Sequence, residues 1–274
     1  MQKQWQYFLL AVGFFTRIPV PSQPHFQESD LNHSVKYFPL VGLLIGLLAA
    51  LVFYLLGQVF PHSIAILISM AVTIFATGAF HEDGLADSAD GLGGGWGREH
   101  VLTIMQDSRL GTYGAVALFF VLMLKFQLLN SMHADMVALA LICAHPLSRL
   151  TAVWLMAALP YAKTNANQSS KAKPLATQIS RQDFWLANLF GLLPVLLLSW
   201  LIYIATTGYW QLALGYICLL VGAIGAGWLW WLALLKRKLG GYTGDTLGAM
   251  QQISEVMFYL ASLTWLQYID AYNV

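Results

Sequence analysis

From Tyr37 to Phe60 the chain reads YFPLVGLLIGLLAALVFYLLGQVF, with no Asp, Glu, Lys or Arg. A helix needs about 20 apolar residues to cross ~30 Å of hydrocarbon, and this stretch supplies them. Six further runs of the same kind lie near 62–80, 112–132, 135–160, 184–206, 209–235 and 248–270. The sequence therefore predicts an all-α, polytopic integral membrane helix bundle of about seven transmembrane helices, with residues 1–274 forming a single membrane-embedded catalytic domain. An eighth apolar stretch, Trp5 to Phe15, is too short to span comfortably. It follows Lys3 as a signal-peptide core would, yet Thr16-Arg17-Ile18-Pro19-Val20-Pro21 offers no small-x-small cleavage site. It reads as a retained N-terminal helix, interfacial or re-entrant.

Composition agrees with this reading. Of 274 residues, 58% are apolar and 10% are charged, against roughly 25% charged in an ordinary soluble domain, which argues against a soluble globular enzyme. A net charge of +1 removes the electrostatic case for nucleic acid. Cys143 and Cys218 both lie in apolar runs and read as packing residues rather than a disulfide framework or thiolate metal site.

The charges are distributed unevenly. Arg17, Lys36, Arg98, Arg109, Lys163, Lys171, Lys173, Arg181, Lys236, Arg237 and Lys238 fall in four segments, 16–36, 81–111, 161–183 and 236–247, all on one side of the predicted spans. The short opposite connections carry no Lys or Arg. Lys and Arg favour the cytoplasmic side, so these four segments are expected in the cytoplasm. The Ser/Lys/Asn-rich stretch from Thr164 to Lys173 reads as a flexible loop.

Chemistry concentrates in the second segment, HEDGLADSADGLGGG from His81 to Gly95. On a helix, Asp83, Asp87 and Asp90 stand at i, i+4 and i+7 and share one face within about two turns. Three adjacent carboxylates raise one another's pKa unless a cation sits among them. An all-oxygen donor set favours a hard ion, with Mg²⁺ first. Glu82 points off that face on an ideal helix and is the weaker fourth metal candidate. A solvated acidic loop is the plain alternative; the register and the small residues between the acids favour the metal.

Magnesium held by few carboxylates leaves room for substrate phosphates, and anion-binding groups gather on the same side. Asp107-Ser108-Arg109-Leu110-Gly111-Thr112-Tyr113-Gly114 brings a guanidinium able to grip phosphate bidentately. Lys236-Arg237-Lys238-Leu239-Gly240-Gly241-Tyr242-Thr243-Gly244-Asp245 adds cations, a glycine turn and a helix start. Arg17 supplies one more cation. Singly, each has an ordinary explanation, as a juxtamembrane stop signal, a snorkelling charge or a helix C-cap. Together, beside the acids, Arg17, Asp107, Arg109, Lys236, Lys238, Thr243 and Asp245 form a candidate phosphate-binding set.

Four ordered blocks resemble the cobalamin synthase family: Phe15-Thr16-Arg17-Ile18-Pro19; His81 to Gly91 with its Asp-Gly-Leu-Ala-Asp-x-x-Asp-Gly core; Ile104-Met105-x-Asp107-Ser108-Arg109-x-Gly111-Thr112-Tyr113-Gly114; and Gly240-Gly241-x-Thr243-Gly244-Asp245-x-Leu247-Gly248. They span about residues 15 to 250. The resemblance implies a Mg²⁺-dependent enzyme of the bacterial inner membrane. It would join adenosylcobinamide-GDP to α-ribazole, or its 5′-phosphate, releasing GMP as the last assembly step of the corrinoid's nucleotide loop. On that reading Asp83, Asp87 and Asp90 hold Mg²⁺, with Asp90 the first choice of base, and Arg17 and Arg109 clamp the diphosphate. Thr243 and Asp245 form a second wall. Partners are then the two substrates and the lipid bilayer; a homo-oligomer or a complex with other cobalamin-assembly enzymes is left open. Lys163 stands where the family more often has Arg, and a guanidinium and an ammonium are different phosphate ligands, so it is kept out of the core site.

Arg149, with His145 a turn before it, and Glu255 are costly in hydrocarbon unless they face protein or water. Arg149 is expected toward the cytoplasmic end of its helix, near the substrate or a carboxylate, with a structural Arg149–Glu255 pair as the alternative. Lys125 is as well explained by packing as by function. Two other function classes compete. A CDP-alcohol phosphotransferase also carries an acidic Asp-Gly motif, but with wider Asp spacing and an Ala-Arg continuation. A secondary transporter would show repeats and midplane sites, and no repeat is visible here.

Overall fold

The computed structural model describes residues 2–22, 27–162, 176, 178–205 and 209–272. Among them the regular secondary structure is helical, with one isolated bridge besides: α1 (Gln2–Phe15), α2 (Glu28–Ser34), a 3₁₀ turn (Val35–Tyr37), α3 (Phe38–Leu56), α4 (His62–Thr77), α5 (Phe80–Gly94), α6 (Arg98–Met105), α7 (Thr112–Asn130), α8 (Ala134–Ala158), α9 (Arg181–Ala205), α10 (Trp210–Lys238) and α11 (Gly244–Tyr272).

The bundle is apolar on the outside and partly polar within, the reverse of a soluble protein. Leu186, Leu189, Leu193, Leu196, Leu197 and Trp200 form an exposed stripe on α9, as do Val116, Phe119, Phe120 and Met123 on α7. Lys125, His145, Arg149, Gln251, Gln252 and Glu255 are buried. Hydrocarbon satisfies the first set and the helix interior the second.

Close packing without a water-driven hydrophobic effect relies on small residues at helix crossings. Gly42 and Gly46, four apart on α3, lie against the α8 backbone at His145 and Leu141, where a Cβ at either position would run into a carbonyl oxygen. Pro146 sits inside α8 beside that crossing.

The helix count differs from the expected seven. Five helical stretches are long and apolar enough to cross a membrane, 29–56, α7, α8, α9 and α10, and a sixth if α4 and α5 count as one broken span. The span expected near 62–80 is interrupted. α4 has 16 residues, about 24 Å of helix, and Gly78 and Ala79 then adopt left-handed backbone (φ 64° and 57°), turning the chain by 85° into α5. The span expected near 248–270 lies in α11, whose 29 residues give ample length. It is not apolar enough to count, because Gln251, Gln252, Ser254 and Glu255 line its buried face. The N-terminal helix is tucked against the bundle: Ala11, Val12 and Phe15 are buried while Trp5 is exposed.

Alternating helix directions gather the N-termini of α7, α9 and α11 with the C-termini of α4, α8 and α10 at one end, and α5 and α6 lie there too. The backbone N–H of Arg17 donates to the Ala76 carbonyl (2.8 Å), bringing the chain after α1 to that end. Tyr161 and Tyr242 form a parallel bridge in which Tyr242 N–H donates to Pro160 O (3.0 Å) and Ala162 N–H to Tyr242 O (2.8 Å). That bridge fixes the turn entering α11 against the end of α8.

Candidate active site

The acidic helix forms as its sequence predicts. α5 runs unbroken through Asp83, Asp87 and Asp90, with Asp83 exposed, Asp87 half-buried and Asp90 buried. The fourth carboxylate arrives from α11. Gly84 makes this approach possible, since a Cβ there would stand 2.8 Å from the Asp245 carbonyl oxygen, and Gly248 lies against Gly84 and His81. Two small residues at the crossing thus place Asp245, in the first turn of α11, beside Asp83 and Asp87.

The electrostatics record that proximity. Burial, then repulsion from Asp83, Asp245 and Asp90, pushes the Asp87 carboxyl up to about 7. Burial and Asp83 raise Asp245 to about 6, against the lowering hydrogen bond from the Thr243 hydroxyl to its Oδ2 (3.4 Å). Asp87 and Asp245 are thus costly to ionise beside their acidic neighbours. Among the described residues, no three His, Cys, Asp or Glu side chains close into a ready-made metal cage.

Asp90 is engaged by a neighbouring helix. Its Oδ2 accepts the Gly111 N–H (2.8 Å) and its Oδ1 the Gly114 N–H (2.9 Å), at the N-terminus of α7. Both oxygens thus face α7 and hold its first turn. The i+7 position was right for the helix face; the neighbouring helix, which an ideal-helix projection does not contain, claims the side chain. Glu82 likewise turns inward, accepting from Gln252 Nε2 at 3.0 Å, and lies off the acidic face as the projection indicated.

Thr243 is buried and caps α11: Thr246 N–H donates to its hydroxyl (3.3 Å) and its own N–H donates to Thr246 Oγ1 (2.9 Å). Its contribution to the second wall is therefore to fix the turn that carries Asp245. Arg109 is exposed and its guanidinium donates to both oxygens of Asp107, which holds the Asp107 carboxyl at about 2. Arg17 is exposed, its side chain lying over Gly78 at the α4–α5 corner, where a Cβ would meet its Nε. Lys236 and Arg237 are exposed and Lys238 half-buried at the end of α10. Arg98 Nε donates to Leu239 O (2.8 Å), tying α6 to that end. Lys163 and the stretch 164–173 lie outside the described residues.

A family model described as cobalamin-5-phosphate synthase matches residues 7–263. The chain belongs to that family. A relative from Shewanella frigidimarina is 46% identical over 266 residues, covering 95% of each chain, and one from Ralstonia pickettii is 40% identical over 269 residues, covering 97% of this chain and 98% of its own. Both are named adenosylcobinamide-GDP ribazoletransferase. No solved structure matches the chain.

In this member of the cobalamin-5-phosphate synthase family, Arg149 lies in the C-terminal half of α8 and shares a cavity with the Glu82 and Glu255 carboxylates. It is 2% exposed, deep in the bundle, and its guanidinium donates to the His145 carbonyl (3.0 Å). The expected Arg149–Glu255 pair is not the one formed: Glu255 takes Lys125 instead, at 3.1 Å, with Gln251 Nε2 (2.6 Å) and Tyr259 OH (3.0 Å) donating to it. Arg149, His81, Glu82, His145, Gln252 and Glu255 line a cavity of about 30 Å³ between α4, α5, α7, α8 and α11, room for roughly two waters. Among the described residues, Arg149 Nε, His81 Nε2, Glu82 Oε2 and Gln252 Oε1 have no hydrogen-bond partner. Sequence reading singled out Arg149, His145, Glu255 and Lys125 but missed His81, Gln251 and Gln252 beside them, although Gln251-Gln252-x-x-Glu255 within an apolar helix was the signal.

Proposed function

We propose that the chain catalyses the reaction its relatives are named for. It would transfer the cobinamide phosphate of adenosylcobinamide-GDP to α-ribazole, or to its 5′-phosphate, and release GMP. The observation that carries this reading is the meeting of Asp83, Asp87 and Asp245 at the bundle end that also bears Arg17, Arg109, Lys236 and Lys238. Family membership supports the reaction; the carboxylates and the cations around them support reading this end as the diphosphate site.

Asp83, Asp87 and Asp245 would hold Mg²⁺. Their all-oxygen chemistry and mutual repulsion fit the ion, and an incomplete protein cage suits a cation that keeps positions for water and substrate phosphates. When bound, Mg²⁺ neutralises charge building on the phosphoryl oxygens. The protein's own residues do the positioning on which phosphoryl transfer depends. Arg109 and Arg17 hold the diphosphate oxygens, and Lys236 and Lys238 draw the anion to this end of the bundle. A ribazole hydroxyl oxygen bonds to the cobinamide-bearing phosphorus as the bridging P–O bond to GMP breaks, and the hydroxyl proton passes to solvent or to a carboxylate of the group. Asp90 is not the base in this scheme, because its oxygens serve α7. The one-sided distribution of Lys and Arg supports a multi-pass protein of the bacterial inner membrane with this end in the cytoplasm.

The test is GMP release from adenosylcobinamide-GDP and α-ribazole by the protein in proteoliposomes, with Mg²⁺ and then with EDTA. Release that needs both substrates and the metal is expected. No release with that pair, beside release of CMP from a CDP-alcohol, would replace this reading with the CDP-alcohol phosphotransferase.

A further inference from the structure

Asp90 lies in the third turn of α5 and is 9% exposed. Gly111 is the N-cap residue of α7 and has no side chain with which to cap it. Asp90 does that work from another helix, accepting the N–H groups of Gly111 and Gly114 with one oxygen each (2.8 and 2.9 Å). The first N–H groups of a helix lack intrahelical partners and carry partial positive charge, so a carboxylate there is stabilised twice over. Both glycines are required by the fit: a Cβ on either would run into the Asp90 carboxylate. Gly114 also packs against Ala86 and Leu110, so the start of α7 is seated on α5 and not merely near it.

The connection from α6 to α7 ends at this anchor. Arg109 lies two residues before Gly111 and, among the described residues, its guanidinium is tied to Asp107 on its own loop. Asp87 and Asp83 lie about one and two turns before Asp90 on α5. The distance between the acidic face and the Arg109 loop is therefore set through Asp90.

We propose that Asp90 is a positioning residue that fixes Arg109 relative to Asp83 and Asp87, and that it is not a metal ligand. The proposal rests on the reading of this site as a diphosphate-transfer centre. It separates the third aspartate of the motif from the other two: Asp83 and Asp87 answer to a cation, Asp90 to a helix.

The experiment combines three measurements on the full-length protein in detergent or proteoliposomes: Mn²⁺ binding by EPR, amide exchange at residues 111–114, and the KM and kcat of GMP release. Asp90→Asn should bind Mn²⁺ within about 2-fold of wild type, lose protection at 111–114, and raise the KM for adenosylcobinamide-GDP about 10-fold or more with a smaller change in kcat. Asp83→Asn and Asp87→Asn should lose Mn²⁺ binding. Asp90→Asn added to Arg109→Ala should raise KM little beyond Arg109→Ala alone, since residues acting through one contact are not additive. Gly114→Ala, which displaces the Asp90 carboxylate without removing a charge, should copy Asp90→Asn and covers the case in which that variant does not fold. Loss of Mn²⁺ binding in Asp90→Asn with exchange at 111–114 unchanged, or full additivity with Arg109→Ala, would overturn the assignment. Absence of GMP release by the wild type would instead remove the proposed function. The positioning role, which is defined by that transfer, would fall with it, whereas Asp90 as helix anchor and non-ligand would still be decided by Mn²⁺ binding and amide exchange.

Discussion

Lys125 Nζ of α7 lies 3.1 Å from Glu255 Oε2 of α11, and each side chain is 6% exposed. Two charges far from water need each other, and here they need more: Gln251 and Tyr259 saturate the same carboxylate. Removing one member of such a pair strands the other, at about 3–5 kcal/mol. Glu255→Ala and Lys125→Ala should each lower thermal stability strongly in detergent. The double substitution Lys125→Met with Glu255→Met should recover part of the loss, because it removes both charges of this pair while the buried Arg149 of the same cavity remains. Thermal unfolding followed by circular dichroism checks both, and a double variant no more stable than the singles would count against the pair.

Gly84 and Gly248 both sit at the α5–α11 crossing, yet their substitutions should differ. A Cβ on Gly84 would stand 2.8 Å from the Asp245 carbonyl oxygen and 3.1 Å from its Cα, so backbone must move. At Gly248 the nearest atoms are 3.4 Å away, an ordinary contact. Gly84→Ala should cost about 1–3 kcal/mol, as overpacking does, and reduce turnover by separating Asp245 from Asp83 and Asp87. Gly248→Ala should remain close to wild type in both. Equal effects at the two positions would show that this crossing does not set the carboxylate spacing.

The raised carboxyls fix the sign of a pH effect. Asp87 titrates near 7 and Asp245 near 6 in the folded chain, against 3.8 for an unperturbed Asp. Between those limits the folded state binds more protons than the unfolded one, so these groups make stability fall as pH rises from about 4 to 7. If Mg²⁺ is held by these carboxylates in the folded state, it should offset that fall. In EDTA the melting temperature should therefore decline over this range more steeply than in Mg²⁺, and the gain from Mg²⁺ should grow with pH. A gain independent of pH would mean that the ion binds elsewhere.

Part of this was legible in the sequence, for identifiable reasons. The long apolar helices and the acidic register on α5 follow from composition and a period of 3.6, and both are local properties. The corner at Gly78 and Ala79 was not legible, because the apolar run passes through it and only tertiary packing pays for a left-handed alanine. Asp245 could be listed as a site residue, but its approach to Asp83 depends on Gly84 meeting a backbone far along the chain. The hydrogen bonds of Asp90 were not legible, because helix periodicity places a side chain on a face without naming the helix that packs against it, here α7 through Gly111 and Gly114.

Asp83→Asn, Asp87→Asn and Asp245→Asn keep shape and remove one negative charge each. If the three carboxylates serve the metal and the transfer, each change should lower turnover by about 100-fold or more, the usual scale for losing a group that stabilises developing charge. Stability should move the other way. Asp87 is repelled by Asp83, Asp245 and Asp90, and Asp245 by Asp83, so relieving that repulsion should raise the melting temperature in EDTA at pH 8, where the wild-type carboxyls are ionised. A site that sacrifices stability for function shows this opposition. At pH 5 the gain should shrink for Asp87→Asn, since the wild-type carboxyl is already protonated there. GMP release and thermal unfolding at the two pH values check the whole pattern. Variants that lose activity and stability together at pH 8 would mark these aspartates as structural.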